Sequence, residues 1–130
     1  MQQIVILGGG AAGLAAALAA AQSAPAGAVR VTVLDRNPRC GKKLLATGNG
    51  RCNLSNESID PQRYNHPAFV ESVMGPRPEQ ELGSFFSSLG IMTTSEEGRL
   101  YPRSLRAESV RDALLNACNH LGITLICGAN

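Results

Sequence analysis

Apolar, β-branched residues open the chain in an unbroken run, Ile4-Val-Ile-Leu7, which stops at three consecutive glycines, Gly8 to Gly10. A short apolar run bounded by a turn signal fits a parallel strand buried on both faces. From Ala11 to Gln22 the pattern becomes alanines with Leu14 and Leu18 four apart. That is the spacing of one helix face, and small side chains let such a helix pack closely on a sheet. Pro25 and Gly27 stop it, and Val29 to Leu34 is a second β-branched run. Strand, glycine turn, helix and strand in succession predict a right-handed βαβ unit.

Beyond Asp35 the periodicity disappears into a glycine-rich, basic stretch, Cys40 to Asn53, followed by a polar connection to about Asn65. A loop of that length inside a compact domain is usually ordered by a ligand or another segment. Pro67 to Met74 reads as a short helix with proline in its first turn and Gly75 after its end. Leu82, Phe85, Phe86 and Leu89 follow at helical spacing and are expected in the core, with Gly90 as the stop. Ile91 to Thr94 and Arg99 to Tyr101, joined through Glu96-Glu-Gly98, read as a small hairpin. Val110, Leu114, Cys118 and Leu121 mark an amphipathic helix from Ala107 to Leu121, with Ser104 as its expected cap and Gly122 as its stop. Ile123 to Ile126 is a third core strand. Three core strands are few for a doubly wound sheet, so the 130 residues are expected to open a longer protein.

Composition narrows the class. Fourteen glycines in 130 residues and 44% hydrophobic content, with only 17% charged residues, suit a packed, glycine-punctuated α/β domain rather than a disordered or fibrous chain. A net charge of +2 and 4% aromatics give neither the basic footprint nor the stacking surface of a nucleic-acid binder. The uncharged stretch Ile4 to Ala21 is interrupted by the triple glycine and lacks a basic segment before it. A membrane span and a signal peptide are therefore both poor readings, and the chain is expected in the cytoplasm. Cys40, Cys52, Cys118 and Cys127 form no Cys-x-x-Cys pair and have no histidine at zinc spacing, so no metal site and free thiols are expected, with a single bridge as the alternative.

The glycines carry the first candidate chemistry. Gly8-x-Gly10-x-x-Gly13 lies after a strand and opens a helix, as a dinucleotide fingerprint must. Gly8 permits the tight turn, Gly10 lets a pyrophosphate approach the backbone, and Gly13 lets the helix approach the strand. Asp35, at the end of the second strand, follows Gly13 by 22 residues, close to the roughly 20 expected of the acid that takes the ribose hydroxyls. A carboxylate there repels a 2′-phosphate, so FAD or NAD is favoured over NADP, with Arg36 alongside as a countervailing charge. The basic stretch supplies Lys42, Lys43 and Arg51 to offset pyrophosphate charge. Gly48 and Gly50 would let main-chain N–H groups face a flavin edge.

The segment Gly41-Lys-Lys-Leu-Leu-Ala-Thr-Gly-Asn-Gly-Arg-Cys-Asn-Leu-Ser-Asn56 resembles the signature of a bacterial family of NAD(P)/FAD-dependent oxidoreductases. That family includes aminoacetone oxidases and bile-acid 4,6-reductase-like flavoproteins. The resemblance continues through Phe85-Phe86, Gly90, Gly98-Arg-Leu-Tyr-Pro102 and Ala107 into the last helix and strand, and so spans the chain. It implies an α/β fold: a Rossmann-like FAD-binding βαβ unit with a parallel sheet and a small β-hairpin, the N-terminal segment (1–130) of an incomplete glutathione-reductase-type FAD domain. The rest of that domain and a substrate domain would follow residue 130.

By the same resemblance Gly8, Gly10, Ala11, Ala12 and Gly13, with Asp35 and Arg36, would hold the ADP half of FAD. Lys42, Lys43, Gly48, Gly50, Arg51, Cys52 and Asn53 would line the path to the flavin. The whole protein would exchange hydride between flavin and a small organic substrate, with NAD(P)H or oxygen as second redox partner, and the segment alone would be inactive. A non-catalytic NAD- or ADP-binding module is the alternative that the glycine motif alone also permits. Cys52 has no partner cysteine close in sequence and reads as structural rather than redox-active. No catalytic residue, substrate or oligomeric state is legible.

Overall fold

The computed structural model describes residues 1–129. Three parallel strands form the main sheet: β1 (Gln2–Leu7), β2 (Val29–Asp35) and β6 (Thr124–Cys127), in the order β1-β2-β6. Leu7 pairs with Leu34, and Asp35 pairs with Cys127, so all three strands end along one edge. The helices α1 (Ala11–Gln22) and α4 (Ala107–His120) cross over between them. The βαβ unit therefore stands as the hydrophobic pattern predicts.

Both crossovers run in the same direction along the sheet, and right-handed connections then place both helices on the same face. Leu14, Ala17 and Leu18 of α1 and Val110, Leu114 and Cys118 of α4 meet Val31 and Val33 there, all nearly or wholly buried. Each buried leucine stabilises by roughly 1.5–3 kcal/mol, and Leu14→Ala would cost about 2–5 kcal/mol because a cavity remains in a tightly packed layer. The opposite face is open among the described residues. Val5 is 57% and Leu7 82% exposed, so the described residues cover the first strand on one face, where the sequence pattern expects both. A continuous apolar run reports what a strand can bury, and here only Ile4 and Ile6 pack against the helical layer.

A second, antiparallel sheet has the order β3-β5-β4, from Ser55–Asn56, Arg99–Pro102 and Thr93–Glu96. The hairpin thus lies about two residues later in its first strand than the sequence suggested. Glu97 and Gly98 both adopt positive φ, +51° and +76°. That is the requirement of a two-residue turn matched to strand twist, and it fixes the register. The helices α2 (Pro67–Met74) and α3 (Pro78–Ser88) lie where they were expected. Leu82, Phe85, Phe86 and Leu89 are only half-buried, however, so α3 covers the core rather than belonging to it. Ser104 does not cap α4. Its hydroxyl pairs with that of Ser109 at 2.6 Å, while Arg106 occupies the cap position.

The basic stretch is not an open loop. Lys42–Gly50 forms 3-10 turns broken at Thr47–Asn49, where Thr47 is extended and Gly48 and Asn49 are left-handed. Leu44 buries against the core, and the Thr47 hydroxyl donates to the Leu44 carbonyl at 2.6 Å. One apolar anchor inside a polar run gives no periodic signal, which is why the pattern read as loop.

Candidate functional site

The strand ends, the glycine turn and the start of the 3-10 segment enclose a cleft of about 490 Å³. It lies outside the carboxyl ends of the parallel strands, where open α/β sheets bind their ligands. Gly8 has φ of +100°, a conformation that costs side-chain-bearing residues dearly. A Cβ on Gly13 would collide with the Gly8 carbonyl, whereas one on Gly10 would meet nothing within 4 Å. The two glycines thus differ: Gly13 brings α1 against the strand end, and Gly10 keeps space open in front of it.

No side chain caps α1, and its first backbone bond runs from the Leu14 N–H to the Gly10 carbonyl at 2.9 Å. The amides of Ala11, Ala12 and Gly13 carry no such bond and form, with the helix dipole, a region that favours anions. Arg36, Lys42 and Lys43 line the same cleft beside Asp35. Three cations against one carboxylate leave it net positive, which suits a pyrophosphate.

Asp35 is the one buried charged residue among those described, at 8% exposure. Its Oδ1 accepts from the Asn37 N–H at 2.7 Å and from Asn37 Nδ2 at 2.8 Å, and its Oδ2 accepts from the Gly9 N–H at 2.6 Å. The Asn37 backbone bond, the Asn37 amide and the Gly9 N–H, in that order, hold its carboxyl below the ordinary carboxylate range against the opposing cost of burial. Asp35 is therefore ionised at neutral pH. A carboxylate offers about four lone-pair sites and only three are used here, so it retains capacity for a hydroxyl.

Gly9 is the residue the sequence reading passed over. A Cβ there would collide with Cys40 Sγ and lie 3.0 Å from Asp35 Oδ2. Its carbonyl also accepts from the Gly41 N–H at 2.6 Å. The triple glycine was visible, but only the fold shows that its middle member touches Asp35 and Cys40. Burial, first, and the neighbouring Cys127 thiol push the Cys40 thiol up to about 12.

Ala11 and Ala12 present their amides at the edge of this cleft but also line, with Cys52, Asn53, Leu54, Phe85 and Phe86, a separate apolar depression of about 480 Å³. Arg51 is committed elsewhere. Its guanidinium pairs with Glu96 at 2.6 Å and stacks 4.5 Å from the centre of the Tyr101 ring, so its charge serves the small sheet. Gly48 packs against Tyr101 and the Asn53 backbone, and Gly50 faces the Leu45 carbonyl. Cys52 is buried and left-handed, with φ of +60°.

Residues 2–130 match the HI0933-like protein Rossmann domain. A 3-dehydro-bile acid delta(4,6)-reductase of Clostridium scindens is 47% identical over 116 residues, 88% of this chain and 28% of its own length. A ribosomal RNA dihydrouridine synthase of Haemophilus influenzae is 33% identical over 125 residues, 94% of this chain and 30% of its own. The chain thus spans under a third of these relatives. Among solved structures, that of Thermovibrio ammonificans THI4 overlays with a TM-score of 0.63 at 14% identity, over 97% of this chain and 38% of that one, a likeness of fold.

Proposed function

The chain belongs to the HI0933-like Rossmann-domain family, and from that premise we propose that it forms the FAD-binding segment of a flavin-dependent oxidoreductase. The observation that carries this reading is the arrangement at the sheet edge. Gly8, Gly10 and Gly13 open the space before α1, while Asp35 stands ionised across from it, joined to the turn by the Gly9 N–H. The residues fit the ADP half of the cofactor. Asp35 would receive the ribose hydroxyls, the Ala11 to Gly13 amides the pyrophosphate, and Arg36, Lys42 and Lys43 would offset its charge.

A bound flavin supplies hydride transfer, and the protein binds and orients it. This chain's own part is to fix the ADP end, since the fixed amides and carboxylate need little rearrangement on binding. Lys42 to Asn53 would lead toward the flavin ring. The hydride acceptor in our reading is a small organic molecule, in keeping with the 47% relative named for a bile-acid reduction. The relative named for ribosomal RNA makes RNA the competing substrate class. NAD(P)H or oxygen would serve as the second redox partner, in a cytoplasmic setting. No helix of the described residues is long and apolar enough to cross a membrane.

An absorbance spectrum of the whole purified protein tests the cofactor. Flavin bands near ~450 nm are expected, whereas a colourless protein carrying NAD or ADP would establish the non-catalytic nucleotide module instead. Stopped-flow reduction by NADPH and NADH, followed by reoxidation with a 3-keto-4,6-diene bile acid or an RNA hairpin, then separates the substrate classes.

A further inference from the structure

Cys40 and Cys127 are 87 residues apart in the chain, and their sulfurs lie 3.4 Å apart. Cys127 ends β6, in register with Asp35, and is exposed, while Cys40 is buried against the Gly9 backbone. The two segments that bear them are already held together. Gly128 N–H donates to the Asn37 carbonyl at 2.9 Å, and Gly41 N–H donates to that of Gly9 at 2.6 Å. A core contact between thiols needs neither partner at the surface. Here Cys127 is exposed among the described residues and Cys40 packs against the nucleotide turn.

We propose that Cys40 and Cys127 are a reversible dithiol/disulfide pair, closed by a peroxide, that alters the floor of the cleft. The exposed Cys127 thiolate attacks the peroxide. An S–O bond forms, the O–O bond breaks, and the departing hydroxide takes a proton to become water. The Cys40 sulfur then attacks the Cys127 sulfenic acid. An S–S bond forms, the S–O bond breaks, and the Cys40 proton leaves with the hydroxide as a second water. Two thiols lose two electrons and one peroxide gains them. The order follows from access, because Cys127 is open to the peroxide while Cys40 is buried behind it, so Cys40 resolves rather than initiates.

A disulfide is about 2.05 Å long, so closure shortens the 3.4 Å gap and repositions Cys40 against Gly9, disturbing the turn whose N–H reaches Asp35. Dinucleotide affinity should therefore fall on oxidation, by about fivefold or more, the scale of ordinary site-to-site coupling. This affinity effect rests on the reading of the cleft as a nucleotide site.

The test treats the whole reduced protein with stoichiometric hydrogen peroxide, then maps its cysteines by differential alkylation. A Cys40–Cys127 peptide that dithiothreitol releases is expected. It should be absent from Cys127→Ser and retained in Cys52→Ser and Cys118→Ala. Sulfinic acid at Cys127 without a crosslink, or a bridge to another cysteine, overturns the proposal. Calorimetric titration with ADP in both redox states reads the coupling, and equal affinities would overturn it. Amide exchange at Gly9 and Gly41 provides a ligand-independent readout: faster exchange after oxidation supports the altered turn and unchanged exchange rejects it. Absence of ADP binding to the reduced protein, with the bridge and the faster exchange present, would reject the nucleotide reading and leave the redox pair standing.

Discussion

The backbone N–H of Gly9 donates a 2.6 Å hydrogen bond to Asp35 Oδ2, joining two turns 26 residues apart. The bond makes the glycine turn and the acid one rigid unit. The carboxylate holds the turn as well as facing the cleft, and the Gly9 N–H adds to the Asn37 bonds that keep the carboxylate ionised.

Gly9 and Gly10 should therefore respond differently to a side chain. Gly9→Ala forces a methyl into Cys40 and Asp35, at an expected cost of about 1–3 kcal/mol of overpacking. A Cβ on Gly10 meets only open space, so apo Gly10→Val should lose no more than about 1 kcal/mol, the scale of a poorer cap on α1, while cofactor yield collapses. Thermal melts of apo protein alongside flavin content per mole check both. Retained flavin in Gly10→Val would show that the phosphates do not cross there.

Asp35→Ala should weaken ADP and FAD binding by roughly 1.5–3 kcal/mol, the worth of charge-assisted hydrogen bonds lost to the ribose. Equilibrium dialysis with the whole protein measures it, and unchanged affinity would place the ribose elsewhere. The same residue sets an acid limit. Its carboxyl is depressed below its unfolded value of 3.8, so the folded state gains stability that is fully present above that pH and lost as pH falls through the lower, folded value. Acid unfolding of Asp35→Asn should lack that component, seen as a shallower fall in stability below pH 3.8.

Cys40 predicts the opposite limit. Burial raises its thiol from 9.0 to about 12, so the folded state holds this proton more tightly than the unfolded one. The resulting stability is complete below pH 9 and is lost as pH rises toward 12. Denaturant titrations of reduced protein across this range should show a decline that Cys40→Ala flattens. An equally steep decline in the variant would assign the alkaline loss to other groups.

Arg51 and the lysine pair separate structure from binding. The Arg51–Glu96 pair is about 40% exposed on both sides and contributes about 0.2–1 kcal/mol, with ~0.5–1 kcal/mol more from the Tyr101 ring. Arg51→Ala should lower stability by about 1 kcal/mol in sum and leave ADP affinity unchanged. Lys42→Ala with Lys43→Ala should do the reverse, weakening ADP most at low salt, where exposed charges are least screened. Melting curves and ADP titrations at two ionic strengths decide it. A loss of ADP affinity in Arg51→Ala would return that residue to the cleft.

The sequence by itself determined the βαβ unit, because its signals are local. A β-branched run needs only its own residues to favour a strand, Leu14 and Leu18 need only helical spacing to share a face, and Gly8, Gly10 and Gly13 need only the turn they stand in. Asp35 was legible too, since its place in the fingerprint is a count along the chain. What only the tertiary structure decided depends on residues distant in sequence. Val5 and Leu7 read as buried, but two crossovers of the same hand put both helices on one face, and none of the described residues covers the other. Arg51 read as a pyrophosphate ligand, until Glu96 and Tyr101 on the small sheet drew its charge away from the cleft. Gly9 and Cys40 gave no periodic or motif signal, because their contact exists only once β2 lies beside β1. Cys127 joins them through the register of β6, a pairing that hydrogen bonds between strands set and that no local preference encodes.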